Sequence, residues 1–435
     1  MDINRKTAFY IVRDVENKKA YSHIAANNHI NRLKPSNRPF VRELAFGVIR
    51  QKMYLDYVIG NFVKTPTEKL NVADLSLLRM GLYQIIFMNS VPDYAAVNET
   101  VEMAGRYAKG REGFVNGVLR QYLRDRDYVT LPERDEDETR YLSVKYSYEP
   151  WIVKMWLDDF GAEDAEKLLA AGNEIPPLTI RVNTLMTDRD DLSERLTARG
   201  YEVSPLDGVP NMLCVKGEEV IGGRFYKSGL YSIQDEGSLC AVRVLDPKPG
   251  ETVVDVCAAP GGKTMAIAEA MNNKGRISAI DLYKRKLYLI REQAKRLGVT
   301  IVDTWSWDAT RADSDLADTA DRVLVDAPCS GLGTVRKKPE IKYKKWDDEM
   351  EDLPLKQRDI LAASSKYVKP GGVLVYAVCT VSRRESQQVV NDFLRRHADF
   401  EKTETKQLLP NIDNTDGFFI CKMKRRESLG QREAI

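Results

Sequence analysis

Histidine is scarce in this chain: only His23, His29 and His397 occur in 435 residues, in polar surroundings and far from the motifs described below. Acid–base chemistry built on imidazole, or a histidine-held metal, therefore has little to work with. The six cysteines, Cys214, Cys240, Cys257, Cys329, Cys379 and Cys421, include no C-x-x-C pair. That spacing excludes a zinc knuckle and a dithiol redox motif, and free thiols in a reducing compartment are expected. No apolar run approaches the roughly 18 to 20 residues of a membrane span, and the opening MDINRKTAFYIVRD is charged and interrupted. A soluble, cytoplasmic chain without membrane or metal is the expectation. Charge of one sign is missing too. Lys+Arg 66 against Asp+Glu 64 leaves a net +2, so any surface for a polyanion must be local.

What is present divides into segments, as expected for a chain too long for one core. Residues 1–128 repeat apolar positions every three and four residues, as in RPFVRELAFGVIRQKMYLDYVIGNFV and ADLSLLRMGLYQIIFM, and predict an all-helical domain. Residues 129–142 are dense in acids with no apolar face and read as a linker. Residues 143–235 place strand-like LTIRVNT, YEVSPL and NMLCVKG around the helical DRDDLSERLTARG, a small α+β module. Arg181 and Asn183 fall on a strand face expected to be exposed. Residues 236–435 alternate apolar strands with helices, the pattern of a doubly wound α/β domain.

The chain is organised around VVDVCAAPGGKT. Val253, Val254 and Val256 suit a buried strand, and Ala258, Ala259, Pro260, Gly261 and Gly262 then remove side-chain bulk before a helix. The Gly-Gly-Lys-Thr ending invites a phosphate-loop reading, but the glycine such a loop needs five residues before Gly262 is Cys257. Acids at later strand ends point elsewhere. Asp281 closes RISAID, Asp308 follows TWSW and Asp326 closes VLVD, the supply a Rossmann-like sheet uses to grip a nucleoside. S-adenosylmethionine (SAM) is the natural candidate.

Two further strand ends carry thiols: Cys329 in DAPCSG and Cys379 in VLVYAVCT. In a doubly wound sheet both open on the edge that holds the glycine turn. Two thiols, a carboxylate and a methyl donor together suit methylation of cytosine at C5. That carbon is too weakly nucleophilic to react unaided, and a thiolate added at C6 activates it. In this reading Cys379 attacks C6, Asp326 stabilises charge at N3, and Cys329 assists release. Assigning the nucleophile to Cys329 is the rival, and a noncatalytic RNA-binding factor is the competing class. Methylation of tRNA or of a protein side chain would share the cofactor. Cys214, Cys240 and Cys421 are assigned to packing.

The motifs VDVCAAPGGKT, DAPCSGLGT, YAVCTVSRRES and DGFFICKM, with Asp281 and Asp308, resemble RNA cytosine-C5 methyltransferases of the Fmu/Sun/RsmB type. PFVRELAFGVIR, LLRMGLYQIIFM with VPDYAAVNETVEMA, and FVNGVLR resemble the NusB family of helical RNA-binding domains. Together the likenesses span nearly the whole chain. They imply a bacterial SAM-dependent enzyme acting on a cytosine of 16S rRNA, free or in early assembly; the sequence does not give the oligomeric state, and a monomer is favoured. They place SAM on Cys257, Ala258, Ala259, Pro260, Gly261, Gly262, Lys263, Asp281, Asp308 and Asp326, with Cys379 as nucleophile and Cys329 as release residue. The chain departs from the family's usual pattern at Val378 and Thr380, on either side of Cys379, and at Lys286. The NusB likeness implies an RNA surface including Arg38, Arg42 and Lys52. A second is expected where Arg336, Lys337, Lys338, Lys342, Lys344 and Lys345 are interleaved with Tyr343 and Trp346.

Overall fold

The periodic segments of the first 125 residues become helices α1 (Ile3–Lys18), α2 (Ser22–Ile30), α3 (Arg38–Arg50), α4 (Lys52–Gly60), α5 (Val72–Phe87), α6 (Asp93–Tyr107) and α7 (Glu112–Asp125). Asp2 and Asn71 cap α1 and α5 by accepting from the Arg5 and Ala73 amides. Helix α5 is apolar on nearly all sides because it runs through the core, packing against α1, α3, α4, α6 and α7. The computed structural model describes residues 2–217 and 219–427. In it the chain forms two compact units, one holding the residues up to Glu174 with Val335–Lys345, the other Ile175–Thr334 with the chain from Trp346 onward.

The first unit also contains α8 (Glu138–Tyr146), α9 (Pro150–Phe160) and α10 (Ala162–Ala171). Helix α8 starts inside the acid-dense stretch read as a linker. The acids there cap and pair: Asp137 accepts from the Arg140 amide, and Arg134 bridges Glu138 and Glu166. Val335–Lys345 threads into this unit as a strap. Lys342 is fully buried, its Nζ donating to the carbonyls of Arg50 and Tyr146 at 2.9 Å each and to Asn173 Oδ1 at 2.6 Å. Burial, with Arg50 nearby, pushes this ammonium well below the ordinary lysine range. Tyr343 donates to the Arg50 carbonyl at 2.8 Å, and Arg50 donates to the Arg336 carbonyl at 3.0 Å. The basic run is thus not the open RNA face expected of it: Arg336 and Lys342 are 2 % and 0 % exposed. Lys345 and Trp346 are exposed.

The second unit begins with a four-stranded antiparallel sheet ordered β2-β3-β1-β4: β1 (Thr179–Val182), β2 (Glu202–Pro205), β3 (Met212–Lys216) and β4 (Tyr231–Ile233). Helix α11 (Arg189–Thr197) buries Leu192 and Leu196 against it, and a short α12 (Arg224–Lys227) precedes β4. Helix α13 (Glu236–Leu245) then leads to β5 (Thr252–Val256), β6 (Arg276–Asp281), β7 (Val302–Ser306), β8 (Ala320–Asp326), β9 (Val368–Val378), β10 (Phe400–Leu408) and β11 (Phe418–Arg425). These form a seven-stranded sheet ordered β10-β11-β9-β8-β5-β6-β7, parallel except for β11, which runs antiparallel between β9 and β10. Helices α14 (Gly262–Ala270) and α15 (Lys284–Leu297) join α13 over one face, with Val253, Leu324 and Val375 beneath. Helices α16 (Asp348–Ser365) and α17 (Gln387–Arg396) cover Val254, Val323 and Leu374 on the other. Burial on both faces explains the continuous apolar runs of β5, β8 and β9. Strand order reverses between β5 and β8, and a crevice outside the carboxyl ends of such strands is where doubly wound sheets bind ligands. Among the described residues no helix is long and apolar enough to cross a membrane.

Candidate active site

After β5 the backbone turns through Cys257 at φ 61° and Gly261 at φ 102° into α14. A side chain at Gly261 would be strained by that φ and would also stand 3.2 Å from the Ile290 Cα. At Gly262 the missing side chain would meet open space, so a ligand can approach the backbone there. Asp281, at the end of β6, braces the turn by accepting from the Ala259 amide at 3.2 Å and the Tyr283 amide at 3.0 Å. Arg181 braces it from β1. Its guanidinium donates to the Gly262 carbonyl at 3.0 Å, to Gln234 Oε1, and to both carboxylate oxygens of Glu269 at 2.8 Å. Arg181 and Asn183 are 2 % and 0 % exposed, so the exposed strand face expected for them is a buried joint. Asp308 is exposed after β7 and accepts from the Thr310 hydroxyl and amide, which hold its carboxyl below the usual range.

The parallel pairing of β8 and β9 continues past the strands through the Ala327 amide to the Ala377 carbonyl at 3.0 Å. The Pro-Cys turn therefore lies beside the end of β9, and the Cys329 and Cys379 sulfurs are 3.2 Å apart. The bond to Cys379, then burial, pushes the Cys329 thiol well above its ordinary value. Asp326 Oδ2 accepts from Lys263 Nζ at 2.7 Å, and that ammonium lies 5.1 Å from the Phe418 ring centroid. Burial opposes the Lys263 charge, but Asp326, Cys379 and Asp255 together outweigh it, so the lysine's pKa is raised. The Cys257 thiol, by contrast, is pushed up to about 12 by burial and by Asp326 and Asp281. Gly333 and Gly417 meet back to back beside this pair. A Cβ on Gly333 would lie 1.9 Å from the Gly417 carbonyl oxygen, while the Gly333 amide donates to the Cys379 carbonyl at 3.1 Å.

Direct bonds thus join Cys329 to Cys379, Lys263 to Asp326 and Asp281 to Ala259, whereas Asp308 bonds within its own turn. Sequence reasoning missed Asp255 and Glu385. Asp255 is wholly buried on β5, with Oδ2 accepting from the Thr264 hydroxyl at 2.6 Å and Oδ1 without a partner. Glu385 is buried beside the two thiol turns. Bare backbone at Gly262 and the Asp281 carboxylate, both at the carboxyl edge of the sheet, suit a ligand carrying hydroxyl and amino donors.

The chain matches three family models: the 16S rRNA methyltransferase RsmB/F model over 242–424, the NusB family over 2–124, and the ferredoxin-like domain of RsmF/B-like methyltransferases over 148–220. A probable ribosomal RNA small subunit methyltransferase B of Bacillus subtilis (strain 168) is 39 % identical over 445 residues, spanning 97 % of this chain and 98 % of that one. A protein of the same description from Synechocystis sp. (strain ATCC 27184 / PCC 6803 / Kazusa) is 32 % identical, spanning 97 % and 99 %. The crystal structure of PH0851 aligns with a TM-score of 0.83 at 26 % identity, covering 97 % of this chain and 98 % of that chain. A methyltransferase homologue from Pyrococcus horikoshii aligns with a TM-score of 0.59 at 27 % identity, covering 66 % and 99 %.

Proposed function

The chain belongs to the 16S rRNA methyltransferase RsmB/F family, and from that premise we propose that it methylates C5 of a cytosine in 16S rRNA through a covalent cysteine adduct. The observation that carries the reading is the pair of sulfurs 3.2 Å apart at the ends of β8 and β9, beside the Lys263–Asp326 pair. Cys257 to Lys263, Asp281, Asp308 and Asp326 would hold SAM, which supplies an electrophilic methyl group when bound. The rRNA is taken free or in early assembly, with the target base out of its stack so that both faces of its C5–C6 bond are open. Residues 1–128 serve as the NusB-like RNA-binding domain, 143–235 as the small RNA-binding module and 236–435 as the methyltransferase domain.

The Lys263 ammonium interacts favourably with a Cys379 thiolate, which supplies activation where the chain has Val378 and Thr380 beside the nucleophile. Cys379 Sγ forms a bond to C6, and the C5–C6 π electrons move toward N3, where Asp326, once it carries a proton, stabilises the charge by hydrogen bonding or proton donation. Once C5 is methylated, a base removes its proton. The electrons of that C–H bond restore the C5–C6 double bond and expel the Cys379 thiolate. Cys329 assists this release; its thiol stays protonated in the resting site because its pKa is raised.

The test is to incubate the protein with methyl-labelled SAM and unmodified small-subunit rRNA, digest to nucleosides and identify the labelled one. Labelled 5-methylcytidine is expected; label on another nucleoside would overturn the thiolate mechanism. Cys379→Ala is expected to abolish transfer, and Cys329→Ala to methylate and then stall with RNA covalently attached. An adduct in Cys379→Ala instead would exchange the two roles.

A further inference from the structure

Glu385 sits in the polar loop after β9, SRRES, yet it is 4 % exposed. Its carboxylate accepts from the Ser330 amide at 2.8 Å and hydroxyl at 2.6 Å, from the Thr380 hydroxyl at 3.2 Å and from Gln357 Nε2 of α16 at 3.1 Å. Ser330 follows Cys329 and Thr380 follows Cys379, and their two hydroxyls bond each other at 3.0 Å. Gln357 also donates to the Pro328 carbonyl at 2.9 Å, and the Glu385 carbonyl accepts from the Tyr376 hydroxyl of β9 at 2.7 Å. One buried carboxylate therefore ties the Pro-Cys turn, the end of β9 and α16 together. A carboxylate suits the place because it offers about four acceptor sites and no donor.

We infer that Glu385 is the positioning residue of the thiol pair: by fixing the residues that follow Cys329 and Cys379, it sets the spacing of the two sulfurs and thereby the rate at which the RNA adduct is released. The inference rests on the thiol mechanism proposed above and deepens it. Cys379 directly follows β9, whose ladder to β11 runs to Val378 opposite Phe419. Cys329 stands in a turn three residues beyond the last residue of β8. Weakening the clamp thus displaces Cys329 more than Cys379 and touches release before attack. A misplacement of about 1 Å in a reacting group costs on the order of a hundredfold in rate.

The experiment compares the full-length wild type with Glu385→Gln and Thr380→Val, using methyl-labelled SAM and unmodified small-subunit rRNA. It measures kcat, KM for SAM, melting temperature and the fraction of enzyme carried as a denaturant-resistant RNA adduct at steady state. Glutamine places a donor against the Ser330 amide or Gln357 Nε2, and Thr380→Val removes one hydroxyl. For Glu385→Gln we expect kcat to fall roughly ten- to a hundredfold, KM for SAM to stay within about twofold, and the adduct fraction to rise. Thr380→Val should move the same quantities in the same direction by less, and it decides the matter should Glu385→Gln not fold. Wild-type kcat and adduct fraction in folded variants, or an activity loss matched by loss of folded protein alone, would overturn the positioning role. If the wild type itself formed neither 5-methylcytidine nor adduct, the thiol mechanism would fall and this inference with it. Normal wild-type turnover with unaffected variants removes the inference alone.

Discussion

Asp255 is a carboxyl whose surroundings favour its neutral form. Burial drives its pKa from 3.8 up to about 7, against the opposing bond from Thr264. The folded chain therefore keeps a proton that the unfolded chain gives up, and this residue's contribution to stability is lost as pH rises from about 4 toward 7, by about 1.4 kcal/mol per pH unit. Asp255→Asn should gain more in melting temperature over the wild type at pH 8 than at pH 5; parallel profiles would show that the slope originates elsewhere. Nothing in the sequence distinguishes this aspartate from its valine neighbours except polarity within a buried run. Asp281 and Asp326 were legible because each ends a strand before a turn, Asp308 because it follows one, and Cys329 and Cys379 because both follow strand ends where packing needs no thiol. Glu385 was not legible. Its donors lie 5, 28 and 55 positions away, and SRRES carries no periodicity that would bury it.

The joint between β1 and α14 is a buried ion pair, and burial raises the Glu269 carboxyl's pKa even with Arg181 against it. Removing one partner leaves the other charge buried, which costs about 3 to 5 kcal/mol. Arg181→Met is expected to destabilise the chain by about that amount in chemical denaturation and to weaken SAM binding in calorimetry, because the bond to the Gly262 carbonyl goes with it. Arg181→Met combined with Glu269→Met should recover most of the stability but not the affinity. Recovery of both would make the pair a packing feature alone. The strands flanking this joint were readable from alternation and β-branched runs, and the five strands β5 to β9 from βα spacing, whereas the antiparallel ladder of β10 and β11 was not. The burial of Arg181 was not readable, since a polar residue on a short strand looks solvent-facing until a helix 88 residues later supplies its carboxylate. The basic run after Cys329 misled for the same reason: its partners are carbonyls 196 to 293 positions earlier in the chain, which composition does not record.

At the scale of the molecule, the strap is where the two compact units share chain. Lys342→Met would leave Asn173 Oδ1 short of a donor, while the Arg50 carbonyl keeps Tyr343 and the Tyr146 carbonyl keeps Asn173 Nδ2, at roughly 1 to 3 kcal/mol for the group left unsatisfied. It should lower the stability of the helical unit by roughly 1 to 3 kcal/mol, observed as earlier proteolysis within residues 1–174; an unchanged cleavage pattern would show that the strap is held by its other residues. The same threading orders the events of synthesis. Helices α1 to α10 emerge first, but the residues that fill Arg50, Tyr146 and Asn173 are translated roughly 170 positions after Glu174. At about 5 to 20 residues per second this delay is roughly ten to thirty seconds. The nascent helical unit must wait through that interval with its seat for the strap empty. It can close only after the ribosome has already made β5 to β8, so the first part of the protein to be translated is not the first to be finished.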